Sequence, residues 1–139
     1  MMQRIKAVLA LLCCLMTAAC ASQMGTCEEF EQSMKGYNRM LRWHEVENAG
    51  MVYLDPDLRD AFMKSAADIK KRGVTITDYR ILTSECTPEK GTASVLAEFD
   101  YYILPSNRVR TLTYHQQWAY REQDGKKGWR LKSELPPFD

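Results

Sequence analysis

The carboxylates Glu98 and Asp100 stand two residues apart in TASVLAEFDYYIL, which puts them on one face if the segment is a β-strand. Two acids sharing a pocket are the usual equipment of general acid–base chemistry. Asp78 is a third candidate acid, in VTITDYRILTSE. His44 and His115 could also move a proton, because an imidazole titrates near neutral pH. Gln116 suggests different chemistry. It falls in phase with the aromatic residues of RVRTLTYHQQWAYRE, and a buried amide must find hydrogen-bonding partners. Either a core tyrosine hydroxyl or water satisfies it, or it orients a ligand. Gln116 with Tyr101, Tyr114 and Trp118 is therefore the candidate ligand pocket, mostly apolar with a few polar groups. An amide is a poor base, so this set suits binding better than catalysis. The two histidines are far apart and no cysteine pair has ligand spacing, so neither a metal nor another cofactor is expected. There is no haem-attachment or phosphate-loop motif. Ser33, Ser65, Ser84, Ser94 and Ser133 show no nucleophile elbow.

Which of these side chains face inward depends on the elements that carry them. In CEEFEQSMKGYNRMLRW, Phe30, Met34, Tyr37 and Leu41 recur at helical spacing, with Glu28 and Glu29 in a first turn that favours anions. Gly36 weakens this helix without breaking it. A second apolar stripe runs through Trp43, Val46, Ala49 or Gly50, and Tyr53. Asp55 caps a third helix with Pro56 at its first position. Leu58, Phe62, Ala66 and Ile69 form its apolar face, and Gly73 stops it.

Beyond Gly73 the period becomes two. The strand-like runs are broken by turns at Thr87–Gly91, Pro105–Asn107 and Asp124–Gly128, and a last strand starts at Trp129. Val95, Ala97, Phe99, Tyr101 and Ile103 share one face, which leaves Glu98 and Asp100 on the other, solvated side. Leu112, Tyr114, Gln116, Trp118 and Tyr120 likewise share a face, and His115 is out of phase with them. Asp78 would serve a pocket only if the first strand turned it inward. Helices followed by about four antiparallel strands imply an α+β fold, with the helices on one face of a curved sheet.

The N-terminus concerns location. Arg4 and Lys6 precede an apolar run from Ala7 to Met16, then Thr17, Ala18 and Ala19. This is the layout of a secretory signal peptide, and the run is shorter than the roughly 20 residues of a membrane span. Small residues directly before Cys20 resemble the lipobox of bacterial lipoproteins, although Thr17 stands where leucine is usual. The resemblance implies a signal peptide over 1–19, a lipidated tether over 20–26 carrying its acyl chains (palmitate among them) on Cys20, and a single domain over 27–139. Ala19-Cys20-Ala21 also fits ordinary cleavage, which would release a chain starting at Ser22. Because Ala21 is not aspartate, the resemblance further implies the periplasmic face of an outer membrane. Cys13 and Cys14 would be lost with the signal. With Cys20 acylated, Cys27 and Cys86 remain as an even pair in an oxidising space, either bridged or as two separate thiols.

The mature chain would hold 17 basic and 18 acidic residues, net charge about −1, which gives no basic patch for nucleic acid. The order of elements in YNRMLRWHEVENAGMVYLDPDLRDAF, followed by long strands and the late tryptophan of GWRL, resembles the nuclear transport factor 2-like superfamily with its SnoaL-like proteins. That resemblance covers about Glu28 to Leu135 and implies a helical hairpin wrapped by a strongly bent sheet into a cone. Members of the superfamily include isomerases and dehydratases as well as non-catalytic binders and dimers, so fold does not decide function. The expectation is a lipid-anchored envelope protein that binds a protein or a small apolar ligand without catalysis. Two alternatives remain: a small isomerase- or dehydratase-type enzyme, and a structural homodimer joined through the outer face of the sheet.

Overall fold

The computed structural model describes Met1 and residues 26–139. The signal segment, Cys20 and most of the tether lie outside those residues. Among the described residues, three α-helices pack against an open four-stranded antiparallel sheet, an α+β fold.

The first helix, α1, covers residues 26–42. Phe30, Met34, Tyr37 and Leu41 are at most 3% exposed, so the helical spacing read from sequence is the buried stripe. Gly36 has a packing role. A Cβ there would fall on the Tyr53 hydroxyl, so glycine lets that ring lie across the helix at a propensity cost of about 1 kcal/mol. The chain then turns, with His44 in the left-handed region (φ 64°). Trp43 therefore does not join the next apolar stripe as its spacing suggested. It sits in the turn, 66% exposed, because the break at His44 starts a new helical phase.

Helix α2 is Val46–Tyr53, and it buries Val46, Ala49 and Gly50. Asp55 accepts a bond from the Asp57 amide (3.1 Å), as its capping chemistry suggests. Pro56 opens a single 3₁₀ turn, Pro56–Leu58, and helix α3 follows as Arg59–Lys71. It buries Phe62, Ala66 and Ile69. Gly73, at φ 72°, ends the helical hand.

The strands are β1 (Val74–Thr87), β2 (Thr92–Ile103), β3 (Arg110–Gln123) and β4 (Lys126–Leu131), in sheet order β1-β2-β3-β4. Register shifts between Ile76 and Asp78 and between Ile81 and Thr83 mark two bulges in β1. Bulges bend a strand and re-aim its side chains. Ile76, Tyr79 and Ile81 consequently pack with the core, whereas Asp78 and Arg80 are exposed. Asp78 therefore points away from the interior, as does His115, which is exposed on β3. The last hairpin is tighter than read from sequence. Gln123 pairs with Lys126 across only Asp124 and Gly125, whose φ values are 52° and 74°. Positive φ at both central residues suits a two-residue turn, so β4 starts at Lys126 rather than at Trp129.

The core lies between the helices and one face of the sheet, where Val95, Ala97, Phe99, Tyr101, Tyr114 and Trp118 are buried. Two tertiary features had no periodic signal. Leu54 forms a parallel bridge to Leu131, with the Asp55 amide donating to the Leu131 carbonyl at 2.9 Å. The C-terminal tail folds back, burying Leu135 and Phe138. There the Phe138 ring meets Tyr101 edge-on at 5.1 Å.

Candidate functional site

Strand alternation brings Tyr101, Tyr114, Gln116 and Trp118 onto the inner face of the sheet, each at most 4% exposed. The partner of Gln116 is Asn38, one turn beyond Met34 on the buried stripe of α1. Gln116 Nε2 donates to Asn38 Oδ1 at 2.6 Å, and Asn38 Nδ2 donates to Gln116 Oε1 at 3.3 Å. Asn38 Nδ2 also donates to the Met34 carbonyl at 2.9 Å, and Trp118 Nε1 donates to Gln116 Oε1 at 3.4 Å. Both amides are 0% exposed. Each therefore finds its partners within the protein, as buried polar groups must.

One helical turn covers a second polar pair. The hydroxyls of Tyr37 and Tyr114 lie 3.0 Å apart. Burial pushes both phenols well above the ordinary tyrosine range, and for Tyr37 the neighbouring Tyr114 adds to the effect. Both are thus neutral at any pH at which the fold operates. Rings of Phe30, Tyr37 and Tyr53 pack edge-on around Trp118, with centroids 5.8–6.4 Å away. The predicted pocket residues are together, but they are in contact with one another and with α1. Surface clefts of about 600, 330, 120 and 440 Å³ among the described residues are lined by other side chains.

Tyr101 stands apart from this group. Its hydroxyl donates to the Asp139 carbonyl at 2.6 Å, which ties the C-terminal tail to β2.

Glu98 and Asp100 lie on the outer face, as alternation implies, and Arg80 of β1 reaches across to both. Its guanidinium donates to Asp100 at 2.7 and 3.2 Å and to Glu98 at 3.1 Å. Thr111 Oγ1 donates to Asp100 at 2.6 Å. The Arg80 and Thr111 bonds hold the Asp100 carboxyl down at about 2. A carboxylate this acidic and this fully bonded is a weak base, so the pair is a strand-to-strand tie. His44 is engaged too, with Nε2 3.2 Å from the Ile76 carbonyl.

Asp55 is the most buried acid among the described residues, its side chain 4% exposed. Burial raises its pKa, but bonds from Lys132 and the Asp57 amide, with the charges of Lys132 and Arg121, outweigh burial and leave it lowered. Lys132 Nζ is 3.0 Å away and Arg121 Nη1 3.2 Å. This triad fastens the α2–α3 connection to β3 and the end of β4.

Cys27 and Cys86 are joined by a disulfide, with Cα atoms 5.9 Å apart. It fixes the first turn of α1 to the far end of β1, and its loop of about 60 residues corresponds to roughly 4 kcal/mol on the loop-entropy model. Among the described residues, no three His, Cys, Asp or Glu side chains converge as metal ligands. No described helix is long and apolar enough to cross a membrane.

No protein-family model matches the chain, and no curated protein matches it. Among solved structures, the chain is similar to the intermembrane space region of the chloroplast protein ARC6. The match has 13% identity, covers 73% of this chain and 92% of that one, and reaches a TM-score of 0.42. At that level the likeness carries no argument about function.

Proposed function

We propose that this chain is a lipid-anchored protein of the bacterial envelope whose domain works by binding a protein partner, without catalysis. The observation that carries this reading is the filled interior. The Asn38–Gln116 amide pair is fully buried and internally bonded, and Asp78, Glu98, Asp100 and His115 all lie off that interior. An isomerase or dehydratase of this architecture would need an acid or base facing a substrate cavity. A small apolar ligand in the pocket expected around Gln116 would need the space that Tyr37, Phe30 and Tyr53 occupy around Trp118. A partner met at the surface needs neither.

The envelope location is supported by the disulfide, since such bonds persist in oxidising compartments. Acylation of Cys20, and placement at the periplasmic face of an outer membrane, follow from the lipobox-like run before it. Membership of the nuclear transport factor 2-like superfamily is part of the same proposal, supported by helices that precede a sheet whose edge strand is bent by two bulges.

A solvatochromic apolar dye tests the filled interior. The native protein is expected to leave its emission unchanged at micromolar concentration. Saturable enhancement that disappears in Gln116→Leu, with the fold retained, would overturn the reading and restore an interior ligand site.

A further inference from the structure

The domain has two dissimilar ends. Cys86 pairs across from Ala93 at one end of the β1–β2 ladder, and Val74 pairs with Ile103 at the other. Ten residue steps of β2, from Ala93 to Ile103, separate these ends, about 33 Å at ordinary rise. The disulfide brings the start of α1 to the Cys86 end. At the opposite end the β2–β3 hairpin projects. Every residue from Leu104 to Thr111 is exposed. Leu104 and Val109 are 57% and 56% exposed, although both are large and apolar.

The charges of the hairpin itself are of one sign. The segment LPSNRVR carries Arg108 and Arg110 and no acid. Its Leu104 amide donates to the Gly73 carbonyl at 3.2 Å, which sets the hairpin beside the basic end of α3. Lys71, Arg108 and Arg110 form no ion pair with a described residue, while Lys70 is 3.8 Å from Glu47. Trp43 belongs to the same end. Arg42 lies 5.2 Å over its ring and donates to the Ile76 carbonyl at 3.4 Å. Ile76 is in register with Tyr101, which is in register with Arg110. The acids nearby are Glu45, Glu47, Asp78, Asp100, which Arg80 and Thr111 already engage, and Asp139, whose carbonyl accepts from the Tyr101 hydroxyl. Asp78 already accepts a bond from the Tyr79 amide at 2.8 Å.

We propose that the end carrying the β2–β3 hairpin and Trp43 is a docking surface for an anionic lipid bilayer. Exposed cations gain about 1 kcal/mol each near an anionic leaflet. Leu104 and Val109 flank the hairpin tip, where they can enter the boundary between headgroups and acyl chains. Tryptophan favours the same boundary, because its ring has an apolar body and a polar edge. A projecting tip that combines Leu104 and Val109 with Arg108 and Arg110 suits a deformable surface better than the flat or concave interface of an acidic protein. The proposal does not depend on lipid at Cys20.

The test immobilises the mature chain, residues 21–139 without the signal segment and the acylated cysteine, by an N-terminal tag on a sensor surface and passes vesicles over it. Vesicles of phosphatidylcholine with about a third phosphatidylglycerol are expected to bind roughly 10-fold or more tightly than phosphatidylcholine alone at low salt, the preference shrinking as salt rises. Arg108→Gln with Arg110→Gln is expected to weaken binding to the anionic vesicles by about 10- to 30-fold. Leu104→Ser with Val109→Ser should remove the part that survives high salt. All four positions are exposed, so unchanged thermal unfolding verifies the variants. Equal binding to both vesicle types, or variants that bind as the parent does, would overturn the proposal. So would polyglutamate binding as tightly as the anionic vesicles and insensitive to the Leu104 and Val109 changes, which would make the partner an acidic polypeptide.

Discussion

Replacing Gln116 by leucine separates a structural amide from a ligand-orienting one. The substitution keeps approximate volume but removes three hydrogen bonds: two with Asn38 and one from Trp118. Asn38 Nδ2 keeps the Met34 carbonyl. Asn38 Oδ1 and Trp118 Nε1 are left without partners in the core. At about 1–3 kcal/mol for each buried unsatisfied group, Gln116→Leu should cost roughly 2–5 kcal/mol, the low end applying if the weak 3.4 Å Trp118 bond counts for little. Asn38→Leu should cost about 1–3 kcal/mol, mainly by stranding Gln116 Nε2. The double variant strands only the indole. Its cost should therefore fall short of the sum of the single costs by the two stranded groups it spares, Asn38 Oδ1 and Gln116 Nε2, about 2–3 kcal/mol at the low end of the cost per group and the upper end of measured couplings. Urea unfolding followed by circular dichroism, with the disulfide intact, measures all four corners of the cycle. Additive costs would refute the reasoning, as would a Gln116→Leu cost below about 0.5 kcal/mol, the level of an inconsequential surface change.

Reduction, or Cys27→Ser with Cys86→Ser, should cost roughly 4 kcal/mol in the same unfolding assay, and thiol labelling of the native protein should find neither cysteine free. Gly36→Ala should destabilise by about 1 kcal/mol despite better helix propensity, because the new methyl displaces the Tyr53 ring; adding Tyr53→Phe should recover part of the loss. The Asp100 carboxyl should titrate near 2 by NMR. Since its folded pKa lies below the unfolded value, its contribution to stability is present above about pH 4 and is lost as pH falls through 2. In Arg80→Gln the midpoint should move up toward the ordinary aspartate range, and an unmoved midpoint would reject Arg80 as the cause.

The elements that the sequence announced are those whose periodicity tertiary packing reinforces. Phe30-Met34-Tyr37-Leu41 and Val95-Ala97-Phe99-Tyr101 each form a buried face, and the α+β architecture follows from their order. Gln116 was legible as an amide in phase with a buried face. Asn38 left the matching signal, a polar residue four positions after Met34 within the α1 stripe, but only the fold shows that the two amides meet. Trp43 misled because its spacing from Val46 suits a helix, while the positive φ at His44 breaks the phase between them. The bulges in β1 were illegible for a related reason: an extra residue at Thr77 and at Leu82 alters alternation without changing composition. Leu135 and Phe138 lie in an irregular tail, where burial leaves no period to read.

The central claim, a lipid-anchored and oxidised envelope protein, is tested most directly by the intact mass of the mature chain purified from membranes. The account predicts a chain that begins at Cys20, carries the mass of its acyl chains on that residue, and lacks the two hydrogens lost when Cys27 and Cys86 bridge. An unacylated chain beginning at Ser22, or one that retains the signal segment, would contradict it.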